Sequence, residues 1–136
     1  MKAHIPKARE RVLTYILDDT TAATLSLILE KMSVEEYRVP ANKLGQKVGV
    51  LAGYTGFEGT QCEDGFSVGE SMLCMCGLSS GRVNQLLEQL RENHIDIPLK
   101  AVVTATNQNW SFARLAEALQ EERKALAQKN ARPNKP

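Results

Sequence analysis

Aromatic residues are scarce in this chain of 136 residues, at 5% with a single tryptophan. Single-stranded nucleic acids are held on aromatic stacking platforms, so that mode of binding is poorly supplied. A surplus of one charge is also missing, because 17 Lys and Arg face 16 Asp and Glu for a net charge of +1. Domains dedicated to DNA or RNA are strongly basic, and nucleic acid is therefore excluded as the main partner. No apolar run approaches the roughly 20 residues that span a bilayer. The opening MKAHIPKARE leads only into a short apolar stretch, Val12 to Leu17, without a small-residue cleavage site. Neither secretion nor a membrane partner is expected, and the expected location is the cytoplasm.

Cysteine is sparse as well. The three cysteines are an odd number, and Cys74-x-Cys76 brings two of them too close along a strand to pair with each other. Reduced thiols are the economical reading. A zinc site needs four ligands, and only Cys62, His94 and His4 could supplement that pair, so no metal is assigned. No CxxC, GxxxxGK[ST], GxGxxG or HExxH pattern occurs, which removes the common redox, phosphate, dinucleotide and zinc-protease signatures. No cofactor and no catalytic residue is assigned.

What is present is the composition of a folded domain: 43% hydrophobic and 24% charged residues, far from the profile of a disordered chain. Arg11 to Leu17 is a run of strand formers closed by Asp18-Asp19-Thr20, good helix-cap residues. Leu25, Ile28, Leu29 and Met32 then keep the i, i+3, i+4, i+7 spacing of one helix face. A brief strand is expected at Tyr37 to Val39, and a weaker helix at Asn42 to Ala52, interrupted by Gly45 and Gly49.

The plan then recurs. Ser71 to Leu78 is a second short apolar run, followed by Ser79-Ser80-Gly81 as a cap and by Val83, Leu86, Leu87 and Leu90 at the same helical spacing. Pro98 introduces the strand Leu99 to Thr104. Ser111 opens a last helix with Phe112, Leu115, Ala116 and Leu119 on one face and no breaker before Leu126. Between the halves, Gly53 to Gly69 holds five of the nine glycines and predicts turns, not regular structure.

These elements predict an α/β fold in a single domain spanning 1–136. Its mostly parallel sheet of about four strands is built from two similar β-α-β-α halves, with right-handed crossovers. The first half covers 10–53, the Gly-rich connector 53–69 and the second half 70–128. A loose arm (1–9) precedes them, and a polar frayed tail (129–136) follows.

In parallel α/β sheets ligands bind beyond the carboxyl ends of the strands, where helix N-termini favour anions. Three such places exist: Asp18 and Asp19; Ser79, Ser80, Gly81 and Arg82; and Thr104, Asn107 and Trp110. Two readings compete for them. In one they form a shared cleft that takes a small anionic ligand on the Arg82 side. In the other they simply cap helices. Cys74 and Cys76 should point to the same side of their strand as Met72, with Leu73 and Met75 on the other, as small buried hydrophobes. His94 sits at a helix C-terminus, where the dipole favours an imidazolium, and Trp110 precedes the last helix as an apolar anchor.

A strand ending in Asp-Asp and the run Ile97-Pro98-Leu99-Lys100-Ala101-Val102-Val103-Thr104-Ala105 resemble the receiver domains of two-component signalling. Gly77, Ser79 and Ser80 stand where the phosphoacceptor Asp would be, and without a carboxylate nucleophile no phosphorylation is implied. The stretch Glu70 to Glu122 resembles a bacterial family of unknown function. The matching features are the strand ending near Gly77, Leu86, Leu87, Leu90, Leu99 to Thr104, Asn107 and Trp110. That resemblance implies a bacterial cytoplasmic origin and transfers no catalytic residue. The expected function is a small non-catalytic binding or regulatory module, with a protein partner or a homodimer as its candidate contact. The alternatives are an enzyme or small-anion sensor using strand-end groups, and a thiol or metal protein using Cys62, Cys74 and Cys76.

Overall fold

The computed structural model describes residues 10–54, 56 and 67–131, with side chains to Ala127. The expectations for the arm at 1–9, for Cys62 and His4, and for most of the Gly-rich connector fall outside the described residues. Among the described residues, four strands and four α-helices run in the order β1 (Arg11–Tyr15), α1 (Asp19–Lys31), β2 (Glu35–Arg38), α2 (Val48–Ala52), β3 (Met72–Cys76), α3 (Ser80–Glu92), β4 (Leu99–Val102) and α4 (Phe112–Ala131). Short 3-10 turns at Ala41–Lys43 and Asn107–Asn109 precede α2 and α4.

The strands form one sheet in the order β2-β1-β3-β4. The outer pairs β1·β2 and β3·β4 are parallel, each joined by a helix, while the central pair β1·β3 is antiparallel with Leu13 opposite Cys74. The fold is therefore α/β with a mostly parallel sheet, as its alternation of strand and helix predicts. The direction of the central pair has a large consequence. Strands that run oppositely end at opposite edges, so the loop after β1 and the loop after β3 cannot share one cleft, and the expected common cleft of Asp18, Asp19 and Ser79 to Arg82 does not form.

Alternation along the strands sends side chains into two cores. One unites Leu13, Met72, Cys74, Cys76 and Leu99 with Val48 and Leu51 of α2 and Phe112 and Leu115 of α4. The other unites Val12, Leu73 and Met75 with Leu25, Ile28 and Leu29 of α1 and Leu86 and Leu90 of α3. Cys74 and Cys76 thus share Met72's side of the sheet, opposite Leu73 and Met75, as their spacing requires. Each fully buried Leu, Val or Phe contributes about 1.5–3 kcal/mol, and all five residues of β3 are buried, which makes this strand the spine of the domain.

Strands β1, β3 and β4 are shorter than in the sequence reading, ending at Tyr15, Cys76 and Val102 instead of Leu17, Leu78 and Thr104, and three other elements differ from it as well. The helix expected over Asn42 to Ala52 is split, because the backbone around Lys47 leaves the helical region to bridge Ser111. Val48 N–H donates to the Trp110 carbonyl at 2.8 Å and Phe112 N–H to that of Gln46 at 2.9 Å. Strand β2 begins at Glu35, two residues before the expected start at Tyr37. Its acids find cationic or hydroxyl partners: Arg11 Nη2 reaches Glu35 at 2.9 Å, and Thr14 and Ser26 hydroxyls reach Glu36 at 2.9 and 2.6 Å. Helix α4 runs through Ala131, past Lys129 where the frayed tail was expected.

Candidate functional site

At the carboxyl end of β3, Gly77 turns the chain with φ of 73°, a conformation that glycine adopts without a Cβ penalty. Ser79 follows as the N-cap of α3, its hydroxyl accepting from Arg82 N–H at 3.2 Å. This corner opens on a hollow of about 790 Å³ lined by Gly77, Leu78, Ser79 and Arg82 and, from the neighbouring strands' starts, by Glu10, Ser33 and Glu35. Arg82 does not project into it as an unpaired cation. Its Nε and Nη2 donate to the Glu10 carboxylate at 3.2 and 3.1 Å, and Nη2 also donates to the Met32 carbonyl at 2.6 Å. That hydrogen-bonded carboxylate raises the Arg82 pKa above its usual value. Gly81 has open space around it, since a Cβ there would meet nothing within 4 Å.

The second candidate, at the carboxyl end of β4, folds back on itself. Thr104 N–H donates to Asn107 Oδ1 at 2.8 Å, Asn107 N–H donates to Thr104 Oγ1 at 3.1 Å, and Asn107 Nδ2 donates to the Val102 carbonyl at 3.2 Å. Trp110 is partly buried against the core of α2 and α4, with the Arg114 guanidinium 4.6 Å from its ring centre. Ser111 caps α4 by accepting from Arg114 N–H at 3.1 Å. Trp110 is an anchor at the helix entrance.

Asp18 and Asp19 lie at the opposite edge of the sheet. Asp18 caps α1, accepting from both the backbone N–H and the hydroxyl of Thr21 at 2.8 Å, and those bonds hold its carboxyl below the ordinary range. Asp19 lines a separate hollow of about 170 Å³ with Thr14, Ala22 and Arg38. Of the three predicted places, two therefore share an edge and one does not. Each presents a cap or a self-contained turn.

Among the described residues the thiols offer no reactive group. Cys74 and Cys76 are free and buried. Burial pushes Cys76 up to about 12 despite the Arg11 guanidinium pulling the other way, and burial together with repulsion from Cys76 pushes Cys74 well up. Among the described residues no three metal-ligating side chains converge. His94 adopts φ of 57° just beyond the end of α3, where its N–H donates to the Arg91 carbonyl at 3.1 Å.

The residues that sequence reasoning missed are Glu10 and Glu36. Glu10 meets Arg82 from 72 positions away, and Glu36 gathers Thr14, Ser26 and Arg38 at the rim of β2. No local pattern marks either, because both partnerships follow from strand order.

Fold and site together define a small α/β domain whose strand-end polar groups are paired with one another. Residues 71–126, from the start of β3 through most of α4, match the model of a family described as a domain of unknown function, DUF3783. That match is consistent with the resemblance of the second half of the chain to a family of unknown function. No curated protein and no solved structure matches the chain. Among the described residues no helix is long and apolar enough to cross a membrane.

Proposed function

We propose that the chain is a non-catalytic binding module of the bacterial cytoplasm that takes an extended segment of a protein partner along the free edge of β4. The observation that carries this reading is the direction of β4's backbone groups. Leu99 N–H and Val103 N–H donate to β3 at 3.2 and 2.9 Å, so the alternate residues Lys100 and Val102 turn their N–H and C=O groups outward. Among the described residues no strand pairs with that side. Val102 is 43% exposed, one of the few large hydrophobics on the surface, and Lys100 is exposed on the same face of the strand. The edge at β2 is different, being Glu-Glu-Tyr-Arg with its charges interlocked, the composition of a guarded edge. Strand addition draws affinity from main-chain hydrogen bonds and specificity from alternate side chains. The fitting segment carries an apolar residue beside Val102 and an acid beside Lys100.

The test is selection from a displayed library of extended peptides, followed by amide mapping on the full chain. Peptides of alternating apolar pattern should shift Lys100, Ala101 and Val102, and Val102→Asp should abolish their binding. Selected peptides that move only residues elsewhere would refute the reading.

A second reading, a small-anion sensor, is favoured by the hollow at the N-terminus of α3, where Ser80 and Gly81 stand open to solvent. Glu10 and Glu35 on the opposite wall oppose it by repelling anions. Phosphate titration decides: shifts at Ser80, Gly81 and Arg82 at millimolar phosphate support the sensor, and their absence leaves the binding module.

A further inference from the structure

Arginine on this surface is almost always matched by an acid. Arg11, Arg38, Arg82, Arg91 and Arg123 each pair with a glutamate. Among the described residues Arg114 is the arginine without a carboxylate partner, and its guanidinium lies instead over Trp110, 4.6 Å from the ring centre. Glu117 stands three residues on, at a spacing that lets helical ion pairs form, yet the two do not pair. Arg114 turns toward the ring four residues back, where the π-face attracts its charge.

Two stretches of chain meet beside this ring. The Leu44 carbonyl accepts from Ala113 N–H at 2.9 Å, the Gln46 carbonyl from Phe112 N–H at 2.9 Å and the Trp110 carbonyl from Val48 N–H at 2.8 Å, with Lys47 bridged to Ser111. The seam sets Lys47 beside Ser111, and Lys43 and Arg114 are the next residues outward from the Leu44–Ala113 contact. All three cations are exposed. Neither residues 39–54 nor residues 97–116 contain an Asp or Glu, in a chain that holds 16. Lys43 and Lys47, like Arg114, have no ion-pair partner among the described residues. Positive charge is thus gathered along one seam of a molecule whose net charge is only +1.

We infer that this seam is a docking surface for an acidic segment of a protein partner, with Trp110 and Arg114 as its anchor and Lys43 and Lys47 as its rim. Charge selects the occupant, because an acidic chain meets a cation at each step along the seam and a basic one is repelled at each. Trp and Arg are the residues that most often anchor protein interfaces, and the planar guanidinium fork matches a carboxylate. A nucleic-acid strand fits less well, since it needs free aromatic faces for its bases, and the one ring here carries Arg114 and packs on the core. The seam uses no main-chain group of β4 and neither strand-end hollow, so it stands apart from the function proposed above.

Titration of the full chain with a decapeptide of alternating Glu and Gly tests it, because Trp110, the only tryptophan, reports from the surface itself. The peptide should change Trp110 emission and shift the Lys43, Lys47 and Arg114 amides, and both responses should weaken as salt rises from about 0.1 to 1 M. Lys47→Gln and Arg114→Gln should each weaken binding about two- to five-fold, and the triple variant with Lys43→Gln at least about ten-fold, all with unchanged circular dichroism. Val102→Asp on the β4 edge and Lys31→Gln on α1 should leave binding unaltered. The same peptide with Gln in place of Glu should not bind. An acidic peptide that moves only residues elsewhere, binding indifferent to the triple variant, or tighter binding of a ten-nucleotide oligothymidylate than of the peptide overturns the proposal.

Discussion

Arg82 and Glu10, 72 residues apart, tie the first turn of α3 to the entrance of β1 through two hydrogen bonds at 3.2 and 3.1 Å. The pairing neutralises the one cation of that corner which sequence reading assigned to an anion. Glu10→Gln should therefore expose a latent phosphate site, with larger amide shifts at Ser80, Gly81 and Arg82 under phosphate than in the natural chain. Equal, negligible shifts in both proteins would mean that the N-terminus of α3 is a cap and nothing more.

Opposite stability changes are expected at two neighbouring positions of that helix. Ser79→Ala removes the oxygen that accepts from Arg82 N–H and should cost about 1 kcal/mol. Gly81→Ala meets no atom within 4 Å and lowers the freedom of the unfolded chain, so it should stabilise by about 0.4–1 kcal/mol. Urea denaturation of the two variants measures both signs.

Replacing Cys74 and Cys76 together by Ala should lower stability by roughly 1–2 kcal/mol through lost packing, without releasing any metal. Alkali gives an independent check. The Cys76 thiol titrates near 9.0 when unperturbed and at about 12 in the fold. The unfolded chain therefore loses this proton first, and the stabilisation is fully present below pH 9 and is lost as pH rises from 9 toward 12. Part of the natural chain's alkaline loss of stability should be missing in the double variant. Identical slopes would show that the thiols are not as dry as their burial indicates.

Acid acts on the other edge of the sheet. The Asp18 carboxyl is held below 3.8 by its bonds to Thr21, so the fold binds this proton later than the unfolded chain as pH falls. The cap's contribution is present above pH 3.8 and disappears as pH drops through the lowered value. Amide exchange at Thr21 should accelerate over that interval, and Asp18→Ala should show fast exchange at every pH.

By itself the sequence determined the elements and their faces. The i, i+3, i+4, i+7 spacing of Leu25, Ile28, Leu29 and Met32, and again of Val83, Leu86, Leu87 and Leu90, specifies two amphipathic helices. Strand alternation specifies that Cys74 and Cys76 look one way while Leu73 and Met75 look the other. Caps at Asp18, Ser79 and Ser111 are equally local, because each hydroxyl or carboxylate reaches an N–H three residues on. Tertiary structure alone decided the direction of β1 against β3. A strand buried on both faces, such as Met72–Cys76, has the same apolar pattern whichever way its neighbour runs, so periodicity carries no information about it. That single pairing separated Asp18 from Ser79, brought Glu10 to Arg82 and divided the expected cleft between two edges of the sheet. The Lys47–Ser111 bridge splits the helix expected from Asn42 to Ala52 for the same reason, since a backbone hydrogen bond to a segment 64 residues away leaves no mark on local spacing.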